Sequence, residues 1–144
     1  MTIRFGLIGS GRMGEVFAHH LAFSIPDADF AAVADANLEA AKRVAIRYGA
    51  ERYYGDYHKL LAQEDIDAVI IATPSNTHEM VIVDAANAGK HIFSEKPLAL
   101  TLDGCDAAIS AVKTASVKLQ VGFMRRFDPA YMTAKQNVIL KLKI

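Results

Sequence analysis

Apolar positions along the chain fall into short continuous runs and longer stretches with helical spacing. Ile3 to Ile8 is a short apolar run that glycines end, which predicts a first strand. Met13 to Phe23 reads as a helix. Phe30 to Ala34 is a second short run, closed by Asp35. Leu38, Ala41, Val44, Ala45 and Tyr48 then recur at helical spacing, with Gly49 as the stop signal. Tyr53 and Tyr54 mark a short strand, and Tyr57 to Ala62 a short helix. Ala68 to Ala72 is apolar without interruption, the pattern of a strand covered on both faces. Thr73 to Asn76 reads as a loop, His78 to Ala88 as a helix stopped by Gly89, and His91 to Ser94 as a strand. Glu95-Lys96-Pro97 is a turn. A helix follows from Thr101, with Asp103 in its first turn, to about Thr114. Val117 to Val121 predicts a sixth strand, and Asp128-Pro129 opens a last helix with Pro at its favoured first position. Residues 137–144 are atypical: Leu140 to Ile144 alternates like a strand, yet no helix-stop residue precedes it.

Strands alternating with helices imply parallel pairing and right-handed crossovers. The expected class is α/β, a doubly wound parallel sheet with helices on both faces. The length of 144 residues fits one domain. With 52% hydrophobic and 22% charged residues the chain can bury a core and is not a disordered segment. Its formal net charge is zero, which argues against a nucleic-acid partner. A single cysteine, Cys105, excludes an intramolecular disulfide and a cysteine-based metal cluster, and its apolar neighbours predict a buried thiol. His19 and His20 are adjacent and point about 100° apart on a helix, so they do not form a metal pair. No metal site is expected. No apolar run approaches the length needed to span a bilayer, and the amino-terminal run breaks into glycines too early for a signal peptide. The expected address is the cytoplasm, without membrane attachment.

Gly9-Ser10-Gly11-Arg12-Met13-Gly14 is a GxGxxG sequence placed after a strand and at the opening of a helix. That context turns a weak pattern into a dinucleotide fingerprint. Gly9 permits the tight turn, Gly11 lets backbone approach a pyrophosphate, and Gly14 lets helix and strand pack closely. Free N–H groups and the positive end of the helix dipole face the phosphates. Asp35 ends the second strand 21 residues beyond Gly14, where a carboxylate accepts both hydroxyls of an adenosine ribose. It repels a 2′-phosphate, and the next residues, Ala36 and Asn37, offer no compensating arginine. NAD is the expected cofactor, with NADP disfavoured. The alternatives are a plain strand-to-helix turn at the glycines and a helix cap at Asp35.

The remaining polar loops follow the fourth, fifth and sixth strands. The pieces IRFGLIGSGRMG, AVAD, ATPSNTH, GKHIFSEKPLALT and VGFMRRFDPAY occur in an order and spacing that resemble the glucose-fructose oxidoreductase / inositol dehydrogenase / MocA family. They run over roughly residues 3 to 134. The resemblance implies a Rossmann-type nucleotide-binding domain of an oxidoreductase acting on a sugar or polyol. It implies that Lys96, in the EKP motif, takes part in proton transfer with the substrate hydroxyl. A lysine partly desolvated beside a positive nicotinamide has its pKa lowered toward neutrality, which suits that task. The alternative is a lysine that only pairs with Glu95. Pro97 is expected to follow a cis peptide. Thr73, Pro74, Ser75 and Asn76 are expected to line the central region of the cofactor, with Glu95 and Pro97 near it. His78 either contacts the cofactor side of the cleft or is a satisfied helix-start histidine. Arg125 and Arg126 either approach the nicotinamide or substrate, or form a solvated basic pair.

Members of that family carry a second domain that supplies most of the substrate pocket, with an Asp and a His completing the catalytic site. The expectation is that this substrate domain is absent from the chain. The chain would then bind NAD but not turn over a sugar efficiently. The face that packs on the second domain would stand exposed and favour a homo-oligomer.

Overall fold

The computed structural model describes residues 2–141, and the side chains through residue 138. Six strands form one parallel sheet: β1 (Ile3–Ile8), β2 (Ala28–Ala34), β3 (Arg52–Tyr54), β4 (Ala68–Ile71), β5 (His91–Ser94) and β6 (Leu119–Val121). Their order across the sheet is β3-β2-β1-β4-β5-β6. This is the doubly wound order of a Rossmann sheet, reversing direction between β1 and β4. The helices are α1 (Arg12–Phe23), α2 (Leu38–Tyr48), α3 (Tyr57–Leu61), α4 (His78–Asn87), α5 (Leu102–Thr114) and α6 (Pro129–Lys141).

The period of two in each strand sends successive side chains to opposite faces. In β4, Val69 and Ile71 join one buried cluster with Leu60, Val81, Ile82, Ala85 and Ala108 from α3, α4 and α5. Ile70 faces the other way, with Leu7, Ala18, Leu21, Ala41 and Val44 against α1 and α2. The unbroken apolar run in β4 is therefore explained by burial on both sides.

Several boundaries differ from the sequence expectation for local reasons. β2 begins at Ala28 rather than Phe30, because Asp29 is paired with Arg4 and continues the ladder despite its charge. β6 is shorter than Val117 to Val121. Ser116 adopts φ 56°, and the Val117 N–H donates back to the Val112 carbonyl at 3.2 Å, so Val117 belongs to the turn ending α5. Cys105 is only half-buried. The inward face of α5 carries Gly104, Ala108 and Val112, and Cys105 lies one residue around from it. Short 3-10 turns at Ser75–Thr77 and Met124–Phe127 occupy stretches read as loop. The helix Pro129–Lys141 runs into the stretch that alternates like a strand, and Leu142 to Ile144 lie outside the described residues. Among the described residues no helix is long and apolar enough to cross a membrane.

Lys90 closes the end of the sheet remote from the glycine loop. It is 7% exposed, and its Nζ donates to the carbonyls of Gln63 at 2.6 Å and Ile66 at 2.9 Å. Lys90→Met keeps the length of the stem but leaves both carbonyls without their donor. It is expected to lower stability by about 1–3 kcal/mol in urea unfolding, and an unchanged midpoint would contradict this role.

Candidate dinucleotide-binding site

The carboxyl ends of the strands at the β1/β4 reversal open onto a cleft of 770 Å3. That is where ligands lie in open parallel sheets. Its floor is the glycine loop. Gly9 has φ 96°, and a Cβ there would stand 2.7 Å from the Ala72 carbonyl carbon, so both conformation and space demand glycine. At Gly14 a Cβ would lie 2.0 Å from the Gly9 carbonyl oxygen, which is the close helix-to-strand approach expected from the sequence. At Gly11 a Cβ would meet nothing within 4 Å. Gly11 also caps α1 without any side-chain hydrogen bond. The first-turn N–H groups of α1, which have no intrahelical partners, are therefore also free of a capping side chain and present the positive end of the helix dipole.

Asp35 is joined to this loop. Its Oδ2 accepts from the Ser10 N–H at 2.7 Å and the Ser10 hydroxyl at 2.8 Å. Its Oδ1 accepts from the Asn37 N–H at 2.8 Å. Burial pushes the carboxyl up, but the donors from Ser10 and Asn37 outweigh it and hold Asp35 below the ordinary aspartate value. It stays ionised at neutral pH. The cap of α2 is Asn37, whose Oδ1 accepts from the Ala40 N–H at 3.2 Å, so Asp35 is not the helix cap.

Of the residues singled out in the sequence, Gly9, Gly11, Met13, Asp35, Ala36, Thr73 and Pro74 line the cleft. Ser10 is 2% exposed behind it, holding Asp35. Arg12 lies outside, in a surface groove with Glu15, His19 and Tyr48. Ser75 and Asn76 form the 3-10 turn, and from that turn only Thr77 reaches the wall. The Thr77 hydroxyl lies 2.8 Å from the Thr73 hydroxyl and 2.7 Å from the Pro74 carbonyl.

His78 does not face the cleft. It is 1% exposed and its two ring nitrogens face the carbonyls of Pro97 and Thr73, so it is buried between two loops rather than set in the cleft wall. Arg125 and Arg126 are also outside the cleft. Both are exposed on the turn Met124–Phe127, with the Arg125 guanidinium 4.8 Å from the Tyr131 ring centroid.

The turn after β5 carries Lys96, and the Lys96–Pro97 peptide is cis. Glu95 is buried, and its Oε2 accepts the backbone N–H of Lys96 at 3.1 Å. Among the described residues the Lys96 ammonium forms no ion pair, so Lys96 is not simply the partner of Glu95. It is exposed, so the partial desolvation expected for it is not supplied by its surroundings here. Glu95 borders a second, apolar groove of 370 Å3 with Met13, Phe17, Phe93, Phe123 and Phe127. Met13 belongs to both, so the two spaces adjoin.

Sequence reasoning missed one wall. Gly55, Asp56 and Tyr57 after β3, with Met80 and Val81 from α4, close the side of the cleft beyond Ala36. The Tyr57 hydroxyl donates to Asp84 Oδ2 at 2.6 Å, tying α3 to α4, and burial together with Asp84 pushes the phenol up. The available signal was the position of Gly55-Asp56, which follows a strand and caps a helix at the same sheet edge.

Comparison with known proteins agrees with this geometry. A family model described as an oxidoreductase family with an NAD-binding Rossmann fold matches residues 3–123. The chain is 45% identical over 136 residues to scyllo-inositol 2-dehydrogenase (NAD(+)) of Bacillus subtilis (strain 168), covering 94% of this chain and 40% of that protein. It is 44% identical over 138 residues to inositol 2-dehydrogenase of Rhizobium meliloti (strain 1021), covering 96% and 41%. The crystal structure of scyllo-inositol dehydrogenase from Lactobacillus casei with bound NAD(H) and scyllo-inositol superimposes with a TM-score of 0.89 at 36% identity, covering 97% of this chain and 42% of that one. The chain thus spans about 40% of the length of the curated relatives it matches.

Proposed function

The chain belongs to the oxidoreductase family with an NAD-binding Rossmann fold, and from that premise we propose that it is the cofactor-binding portion of an NAD-dependent dehydrogenase acting on a sugar or polyol of the inositol kind. The observation that carries the cofactor reading is the pairing of an open Gly11 at the head of α1 with an ionised Asp35 bonded to the same loop.

The residues fit the dinucleotide. The first turn of α1 offers backbone N–H groups to a pyrophosphate, and the space a Cβ would fill at Gly11 is free. Asp35 suits two ribose hydroxyls and opposes a phosphate in their place. Ala36 and the Gly55–Tyr57 wall flank the adenosine end, while Thr73 and Pro74 flank the centre. When bound, NAD supplies a nicotinamide ring that accepts a hydride from the carbon bearing the substrate hydroxyl. In this reading Lys96 takes the proton of that hydroxyl as the carbonyl forms. The desolvation that its exposed side chain lacks would have to come from the bound dinucleotide and substrate.

A second reading is a binding module that holds NAD without catalysis of its own, supported by the exposure of Lys96. In both readings the protein works in the cytoplasm as a homo-oligomer, and exposed Phe123, Met124 and Phe127 support self-association.

NADH fluorescence titrated beside NADPH tests the cofactor assignment. NADH is expected to bind more tightly by about tenfold or more, because Asp35 gains hydrogen bonds to one and repels the other. Equal or tighter binding of NADPH would refute it. Addition of inositols with NAD separates the readings, since NADH production by this polypeptide contradicts the binding module.

A further inference from the structure

β4 and β5 pair with Ile71 opposite Ser94, and the Glu95 N–H donates to the Ile71 carbonyl at 2.9 Å. Thr73 and Lys96 each lie two residues beyond that pair, on neighbouring strands. One loop then walls the dinucleotide cleft and the other carries the lysine. Their side chains do not touch through any hydrogen bond of their own among the described residues, and Lys96 is held only through its backbone N–H on Glu95.

One buried side chain joins the two loops. His78, the first residue of α4, faces the Pro97 carbonyl with Nδ1 at 2.6 Å and the Thr73 carbonyl with Nε2 at 3.0 Å. A carbonyl oxygen only accepts, so each tie needs a ring N–H; a ring with both protons keeps both ties, and a ring with one proton keeps one. The packing of α4 does not need this imidazole, because Val81, Ile82, Ala85 and Ala86 already seat the helix. A buried polar ring costs desolvation, which each ring N–H that reaches a carbonyl offsets.

We propose that His78 is a positioning residue: it fixes the distance between the Thr73–Pro74 wall and the turn bearing Lys96, so that the ammonium stands at a set place beside a dinucleotide seated on that wall. This rests on the reading of the cleft as an NAD site. His78 touches neither cofactor nor substrate. Without it the Lys96 turn keeps its β5 pairing and the packing of Leu98 and Ala99 behind it but loses its tie to the Thr73 loop, and the lysine samples a wider range of positions.

The test uses the chain itself, with amide hydrogen exchange and brief acetic anhydride labelling of Lys96, both read by mass spectrometry. In His78→Phe, without ligand, residues 73–79 and 95–100 are expected to exchange about tenfold faster together, while β1 and α5 are unchanged. NADH is expected to bind within about threefold of the parent. Saturating NADH is expected to shield Lys96 from acetylation in the parent, and this protection should be lost in the variant. His78→Gln, which restores amide N–H donors, should recover part of both effects. His78→Asn, too short to reach both carbonyls, repeats the test should the phenylalanine variant not fold. Even acceleration along the whole chain, loosening of one loop alone, or Lys96 still shielded in H78F would overturn the proposal. If the parent binds no NADH, the NAD reading falls, while exchange in the ligand-free chains still decides whether His78 couples the loops.

Discussion

Gly11→Ala is expected to leave the fold standing and to weaken dinucleotide binding strongly. Gly11 sits at φ −72° and ψ −166°, a backbone conformation open to any residue, and a Cβ there meets no protein atom within 4 Å. As an N-cap, alanine is somewhat worse than glycine, so stability should fall by less than about 1 kcal/mol. Binding is another matter. The added methyl occupies the space that a pyrophosphate needs in order to reach the first-turn N–H groups, and each charge-assisted bond lost there is worth about 1.5–3 kcal/mol. NADH affinity should drop about 100-fold, or about 2.7 kcal/mol, with a nearly unchanged melting curve.

The same substitution three residues later reverses the pattern. At Gly14 the new Cβ would lie 2.0 Å from the backbone oxygen of Gly9. Backbone cannot swing aside as a flexible side chain does, so helix and strand must separate, at a cost of about 3 kcal/mol or more. Gly14→Ala should therefore lose stability first and binding as a consequence. Thermal unfolding beside NADH titration of both variants checks the pair. A Gly11→Ala chain that binds NADH normally would move the phosphates away from this loop.

The order of elements was legible because it rests on periodicity. The unbroken run at Ala68–Ile71 announces a strand covered on both faces, and the spacing of Leu38 to Tyr48 announces α2 with its Gly49 stop. The glycine loop was legible for a related reason: positive φ and close approach leave few residue types to choose from. Where one residue answers to distant partners, sequence reasoning falls short. Asp29 conceals the start of β2 because its charge is met by Arg4, which precedes it by 25 residues. Arg125 and Arg126 could be read as ligand-directed groups or as a solvated basic pair, and the turn at Met124–Phe127, which sends Arg125 onto Tyr131, is not visible in the sequence. His78 could be read in two ways, and only the approach of the loops after β4 and β5 decides between them. The wall at Gly55–Tyr57 was missed because its position depends on β3 joining the sheet beside β2, which three residues of strand hardly signal.

Asp35→Asn should cost more than its size suggests, and its effects should depend on pH. In the parent, three donors converge on the two carboxylate oxygens: the N–H and hydroxyl of Ser10 and the N–H of Asn37. A carboxamide has one acceptor oxygen. Its NH2 group must then face either Ser10 or Asn37, placing donor against donor. The glycine loop loses a tie before any ligand arrives. For the ligand, the change removes a charged acceptor from the ribose hydroxyls and a repulsive charge from a 2′-phosphate. NADH affinity should fall, and the NADH-to-NADPH preference should shrink by about 10- to 100-fold, corresponding to about 1.5–3 kcal/mol. The sign of the pH effect follows from the direction of the Asp35 shift. Its folded-state value is depressed below that of the unfolded chain, because Ser10 and Asn37 together outweigh burial. The stability it contributes is present above the unfolded value and is lost as pH falls through the folded one. The parent should therefore exceed Asp35→Asn in melting temperature at pH 7, and the gap should narrow progressively in the acid range below about pH 4. A gap independent of pH would mean that the carboxylate charge is not what holds the loop. An unchanged ratio of the two cofactors would mean that Asp35 does not meet the ribose.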